Sequence, residues 1–170
     1  NLVRDLNVAA HAGTYTDDLY RQYTGKTVGQ LWTQMTGLKT SSPGQLKNNS
    51  TGKCADLTMA SGDDGNYIEL LGCYTTDAQR YVFGLTSANA TAGRLYIGSK
   101  CLTTRPTGEV VIYGCDGSAS QAWTFRNGTI VNSATNGCLQ SQGGKSTSGT
   151  PLVTAPCNGS ALQLWSSLPD

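Results

Sequence analysis

Three cysteine-led phrases constrain this chain more than anything else in it. Cys73 opens CYTTDAQRYVF, Cys115 opens CDGSASQAWTF and Cys157 opens CNGSALQLWSS. The cysteines lie 42 residues apart twice over; Gln79, Gln121 and Gln163 keep that interval, and so do Tyr81, Trp123 and Trp165. Upstream, GQLKN from Gly44, GRLYI from Gly93 and GTIVN from Gly128 line up with one another. They lead to GKCADL, SKCLTT and NGCLQS, then to YIELLGC, VVIYGC and PLVTAPC. Agreement at this many independent positions makes the chain from Gly44 onward three copies of one unit.

Each unit reads as four short strands: a Leu/Ile strand, a Cys-Leu strand, a third ending in Cys, and the Gln-x-aromatic strand. Turns rich in Gly, Ser and Asn separate them. The first-strand phrase stands at a variable distance from the constant downstream part, which marks a place where loop length changes freely. A four-stranded unit cannot bury a face alone. Three of them wrapped about a common axis close into a barrel with a hairpin cap, an all-β trefoil. Tyr81, Trp123 and Trp165 are then the large apolar residues that face inward. Gln79, Gln121 and Gln163, two positions earlier, point to the same side and satisfy backbone groups left free where strands turn. The two cysteines of a unit fall on neighbouring strands, giving the pairs Cys54–Cys73, Cys101–Cys115 and Cys138–Cys157. Each such loop stabilises by roughly 3 kcal/mol in the chain-entropy model.

The remaining composition narrows the function by exclusion. Charged residues are 14% of the chain and the net charge is +1, with no basic cluster to hold nucleic acid or an anionic membrane surface. No run reaches the length of a membrane span. The six cysteines form no C-x-x-C and the single histidine is His11, so disulfides in an oxidising compartment are expected rather than a zinc site. No cofactor is implied. The opening NLVRDLNVAAHAG lacks a signal-peptide layout, so an exported protein is expected here in mature form. Acceptor sequons for glycosylation stand at Asn49, Asn89, Asn127 and Asn158, with an overlapping one at Asn48.

The cysteine and Gln-x-Trp pattern resembles the ricin B-chain-type β-trefoil, the Q-x-W lectin fold or family 13 carbohydrate-binding module, over about residues 44 to 168. The resemblance implies non-catalytic binding of galactose-type or xylan-type glycans, in a domain that rides on secreted glycosidases and toxins. It also implies one shallow pocket per repeat. An Asp two residues after the first Cys bonds sugar hydroxyls, and an aromatic two residues before the second Cys stacks on the ring. A polar residue two positions before that aromatic and an Asn just ahead of Gln-x-Trp complete the set. The first repeat keeps Asp56 and Glu69 but has Leu71 for the aromatic and Ala78 for the Asn, with Tyr74 or Tyr67 as substitute platforms. The second has Tyr113 but Thr103 and Ser120. The third, with Gln140, Ala155 and Leu162, is expected to be dead. Each candidate also has a plain structural role open to it: Asp56 as an acid bonding local backbone, Tyr113 as a half-exposed packing residue.

Residues 1–43 fall outside the repeats and form the first of two expected segments, residues 44–170 being the second. TDDLYRQYTG, with Thr16 as N-cap and Gly25 as stop, reads as a helix carrying Leu19, Tyr20 and Tyr23. TVGQLWTQMTG reads as another, with Thr27 and Gln30 as a capping box and Val28, Leu31, Trp32 and Met35 on one face. A third candidate ends at Gly13. Helices this short must pack on something, either the trefoil or a larger catalytic domain. No nucleophile–base set, paired carboxylates or metal cluster points to an enzyme. The expectation is a secreted lectin-like module. The competing expectation is an accessory chain of a larger glycosidase or toxin, with a catalytic partner and a trefoil that contacts protein.

Overall fold

The computed structural model describes residues 44–85 and 91–169. The expected N-terminal helices, His11, Trp32 and the sequon at Asn89 lie outside the described residues. The rest is all β. Twelve strands follow in order: β1 Gly44–Asn48, β2 Cys54–Leu57, β3 Ile68–Leu71, β4 Tyr81–Leu85, β5 Gly93–Ile97, β6 Lys100–Thr104, β7 Val110–Tyr113, β8 Trp123–Arg126, β9 Thr129–Asn132, β10 Gly137–Ser141, β11 Thr150–Pro156 and β12 Trp165–Pro169. Each repeat contributes four of them.

The first and fourth strands of the repeats build a barrel. Antiparallel ladders join β1 to β12, β4 to β5 and β8 to β9. Single pairs, Gly44 with Tyr81 and Gly93 with Trp123, join β1 to β4 and β5 to β8. The Trp165 amide donating to the Gly128 carbonyl at 2.7 Å links the third equivalent place. The second and third strands form three hairpins, β2–β3, β6–β7 and β10–β11, which make the cap. Those hairpins meet edge to edge in a triangle through Thr150 with Leu70, Tyr67 with Val111, and Glu109 with Val153. The expected trefoil is the fold the chain adopts.

The core lies on the pseudo-threefold axis because one face of every strand is apolar. Leu46, Leu95 and Ile130 come from the first strands, Leu102 and Leu139 from the second, and Ile68, Val110 and Leu152 from the third; all are buried. Tyr81, Trp123 and Trp165 close the set from the fourth strands. In β3 the alternation is visible residue by residue. Ile68 and Leu70 point inward and are fully buried, while Glu69 and Leu71 face outward. That parity places Glu69 on the surface where the candidate pocket sits.

The three disulfides are Cys54–Cys73, Cys101–Cys115 and Cys138–Cys157, each within one repeat. Their separations of 19, 14 and 19 residues also show where much of the length variation falls. Besides the turn after the first strand, it lies in the hairpin turn: residues 58–67 and 142–149 in the outer repeats, but only 105–109 in the second.

Candidate functional site

The glutamine of each Gln-x-aromatic phrase ends a single 3-10 turn, Asp77–Gln79, Ala119–Gln121 or Ala161–Gln163, that carries it under the cap hairpin. All three glutamines are fully buried and make the same three bonds. The side-chain oxygen accepts from the amide just past the second cysteine: Tyr74 at 2.7 Å, Asp116 at 2.9 Å and Asn158 at 2.9 Å. The side-chain nitrogen donates to the carbonyl just before that cysteine: Gly72 at 2.7 Å, Gly114 at 2.9 Å and Pro156 at 2.9 Å. It also donates to the residue two past the first cysteine: Asp56 Oδ2 at 2.8 Å, Thr103 Oγ1 at 3.1 Å and Gln140 Oε1 at 2.8 Å. One amide thus ties three elements of each pocket floor together.

In the first repeat this arrangement holds a carboxylate, that of Asp56, which is 6% exposed. Asp56 stands directly across the β2–β3 ladder from Glu69. Gln79 occupies Oδ2, so Oδ1 remains the acceptor available to a ligand. Burial pushes the Asp56 carboxyl above its ordinary value, and the Gln79 bond opposes that. Glu69 is also raised, first by burial and then by the negative charge of Asp56. Tyr74, whose backbone amide donates to Gln79, lays its ring against Gly72 at the end of β3. A Cβ on Gly72 would lie 2.9 Å from the Tyr74 hydroxyl, so glycine is what lets that ring lie back against the strand end. Tyr74 is 57% exposed. Asp56 is thus paired with Glu69 across the ladder and tied through Gln79 to the backbone of Tyr74. Leu71, the position of the stacking aromatic implied by the resemblance, is half-buried.

The second repeat is different in kind. Thr103 is buried and its hydroxyl is consumed, donating to the Cys101 carbonyl at 3.1 Å and accepting from Gln121. Across from it stands Val111, fully buried. Tyr113 lies apart from the Asp56 pocket. Its hydroxyl and the Arg105 guanidinium converge on Gly65, where a Cβ would be 3.3 Å from the one and 3.1 Å from the other. Tyr67 belongs to this cluster and not to the first pocket: its hydroxyl accepts from Arg105 Nη1 at 3.1 Å and its ring lies under the guanidinium, 5.3 Å from centroid to Cζ. Tyr67 as a platform for Asp56 is therefore corrected, because the hairpin turn of the first repeat reaches across to β7 of the second.

In the third repeat Gln140 spends its oxygen on Gln163, and Ala155 offers no ring. There the short 105–109 turn leaves a groove of about 540 Å³ over β11, bordered by Pro106, Thr107, Asn136, Thr154 and Ala155. Neither an aromatic nor a charged side chain lines it.

Several buried residues with a structural role went unread in the sequence, Asn48 and Asn132 among them. Asn48 donates to the Leu162 and Leu164 carbonyls, and Asn132 to those of Ser120 and Ala122. Their shared place at the end of GQLKN and GTIVN was the available signal, broken by Ile97 in the middle copy. Burial and these bonds also remove Asn48 as a glycan acceptor, whereas Asn49, Asn127 and Asn158 are exposed. Arg105 was missed as well, since nothing local in RPTGE points to Tyr67 or Tyr113.

A family model described as the ricin-type beta-trefoil lectin domain matches residues 42–165. Among solved structures, similarity extends to the C-terminal half of an earthworm R-type lectin in complex with GalNAc, 12% identical with a TM-score of 0.64, covering 76% of this chain and all of that one. A non-toxic homologue of type II RIPs from Momordica charantia, in complex with α-methyl-D-galactoside, is 22% identical with a TM-score of 0.64, over 80% of this chain and 50% of that one. The exo-β-1,3-galactanase 1,3Gal43A from Clostridium thermocellum is 15% identical with a TM-score of 0.69, over 76% of this chain but 30% of the enzyme. No curated protein sequence matches. With a family model spanning most of its length and three Gln-x-aromatic anchors bonded alike, the chain belongs to the ricin-type β-trefoil lectin family.

Proposed function

We propose that this chain is the non-catalytic glycan-binding module of a secreted protein, and that its first repeat holds the sugar. The observation that supports this is the linkage of Asp56, Gln79 and Tyr74. The buried Gln79 amide bonds one carboxylate oxygen of Asp56 and accepts from the backbone N–H of Tyr74, whose ring is exposed. An acceptor carboxylate with an aromatic face is what a pyranose needs: hydroxyls donate to the acid while the ring covers C–H groups. Galactose-type or xylan-type glycans are the ligands proposed, as membership of the family implies, and the GalNAc and galactoside complexes among similar structures support the first. Glu69, on the opposite strand, adds a second acceptor. Residues 1–43 would form a separate segment preceding the trefoil.

A second reading draws on the third repeat, where Gln140 and Ala155 leave no sugar pocket, and on the galactanase, of which the match covers only a part. In it the chain is an accessory or targeting part of a larger glycosidase or toxin, and the trefoil contacts protein. The two are separated by a glycan array followed by titration calorimetry with lactose and xylobiose. Binding of a neutral sugar that Asp56→Ala weakens at least about tenfold supports the first reading. No response to either sugar at millimolar concentration, with a partner polypeptide co-purifying, supports the second.

A further inference from the structure

The Tyr67–Arg105–Tyr113 cluster has the opposite chemistry to the Asp56 pocket. Where the first repeat offers carboxylate acceptors, this surface offers donors. Arg105 forms no ion pair with any described carboxylate. Asp64 is taken by Lys100 at 2.7 Å and by the Gly114 amide, and the Glu109 carboxylate accepts from the Thr107 hydroxyl. Glu109 is held below the usual carboxylate range first by that hydroxyl, with the Arg105 charge a smaller cause. The Tyr67 hydroxyl accepts from the guanidinium at 3.1 Å, and each of the two tyrosines has a phenolic O–H as a donor. Part of the guanidinium fork is likewise left free.

Both rings are accessible, Tyr67 at 40% and Tyr113 at 37%, and the missing side chain of Gly65 lets Arg105 and the Tyr113 hydroxyl pack close against its backbone, where Arg105 Nη2 donates to the Gly65 carbonyl at 3.4 Å. Gly65 has φ +86°, which a side chain there would strain, so the close approach of Arg105 and Tyr113 is built into the backbone. The site is composite, since Tyr67 comes from the first repeat and Arg105 and Tyr113 from the second.

Resting on the lectin reading above, we infer that this surface is a second glycan site, specific for a pyranose bearing an anionic group. A carboxylate or sulfate would meet the guanidinium and the phenolic donors, while the ring faces cover the sugar's C–H side.

The test measures affinities of the folded chain for 3′-sialyllactose (carboxylate) and galactose 6-sulfate against their neutral counterparts lactose and galactose. The expected result is binding of at least one acidic probe about tenfold or more tighter than its counterpart at low salt, with the advantage shrinking as salt rises. Which acidic probe binds identifies the anionic group. Arg105→Gln should remove that advantage and leave lactose affinity unchanged, whereas Asp56→Ala should do the reverse. If the glutamine variant fails to fold, the wild-type Arg105 Nε–H resonance is followed during titration, and a shift with the acidic probe but not lactose is expected. Lactose binding with no preference for either acid, or an acidic preference that survives Arg105→Gln, overturns the second site while leaving the first standing. Absence of any binding overturns both.

Discussion

Replacing Tyr81 by phenylalanine removes one oxygen atom from the centre of the trefoil and should make the protein more stable. In the other two repeats the residue at this place is tryptophan, whose indole N–H donates to a carbonyl on the second strand: Trp123 to Leu102 and Trp165 to Leu139, both at 2.9 Å. Tyr81 is equally buried, yet its hydroxyl has no hydrogen-bond partner among the described residues. Leaving such a group unpaired costs about 1–3 kcal/mol, and the phenyl ring keeps the packing, so Tyr81→Phe should gain about 1 kcal/mol or somewhat more. For a domain of this size that is roughly 3–6 °C in Tm. A second readout follows from ionisation. Burial, and then the charge of Asp56, hold the Tyr81 hydroxyl well above its ordinary value of 10.0. The unfolded chain therefore loses this proton first. Its contribution to stability is complete below pH 10 and is lost as pH rises beyond, at up to about 1.4 kcal/mol per pH unit. The variant should lack that component of the alkaline decline. Denaturant melts with the disulfides intact, at pH 7 and from pH 9 to 11, decide the matter. A loss of 1 kcal/mol or more at pH 7 would show that the hydroxyl is bonded after all and refute the reasoning.

Two other perturbations test the surroundings of the first pocket. Met59 and Ala60 both hold φ near +53°, where the equivalent turn of the third repeat has Gly143 and Gly144. Met59 is 91% exposed, so Met59→Gly should stabilise by about 0.5–1 kcal/mol once the greater freedom of glycine in the unfolded chain is counted, and an unchanged denaturation midpoint would contradict this. Glu69 and Asp56 are like charges paired across a ladder, and both carboxyls are raised. Raised carboxyls stabilise the fold fully only below their unfolded values, near pH 4, and that stability is lost as pH rises through the folded ones. Glu69→Gln should therefore melt higher than wild type at pH 7, with the difference closing by about pH 3; a gain that persists in acid points to another cause.

How much of this was readable beforehand differs between scaffold and site. The trefoil was legible because the repeat presents each anchor three times, and a misreading at one copy is corrected by the other two. The buried role of Gln79, Gln121 and Gln163 follows from the same repetition. Glu69 facing Asp56 was harder: the two are separated by the hairpin turn, so their pairing depends on a register that the Cys54–Cys73 bridge helps fix. The Tyr67–Arg105–Tyr113 cluster was out of reach. It joins residues from different repeats, and they meet because the 58–67 turn is long enough to lie along β7. Loop length sets that contact, and no residue type announces it. Tyr67, read in the sequence as an alternative to Tyr74 beside Asp56, meets Arg105 instead.

The most direct measurement is a ¹⁵N–¹H correlation spectrum of the chain titrated with lactose and, separately, with xylobiose. Binding in the first repeat is expected to move the amides of Asp56 and Glu69 to Tyr74, together with the Gln79 side-chain NH₂, while the matching Gln140, Ala155 and Gln163 signals stay in place. Shifts centred on the third repeat, or none at millimolar concentrations of either sugar, would contradict a single acceptor pocket built on Asp56.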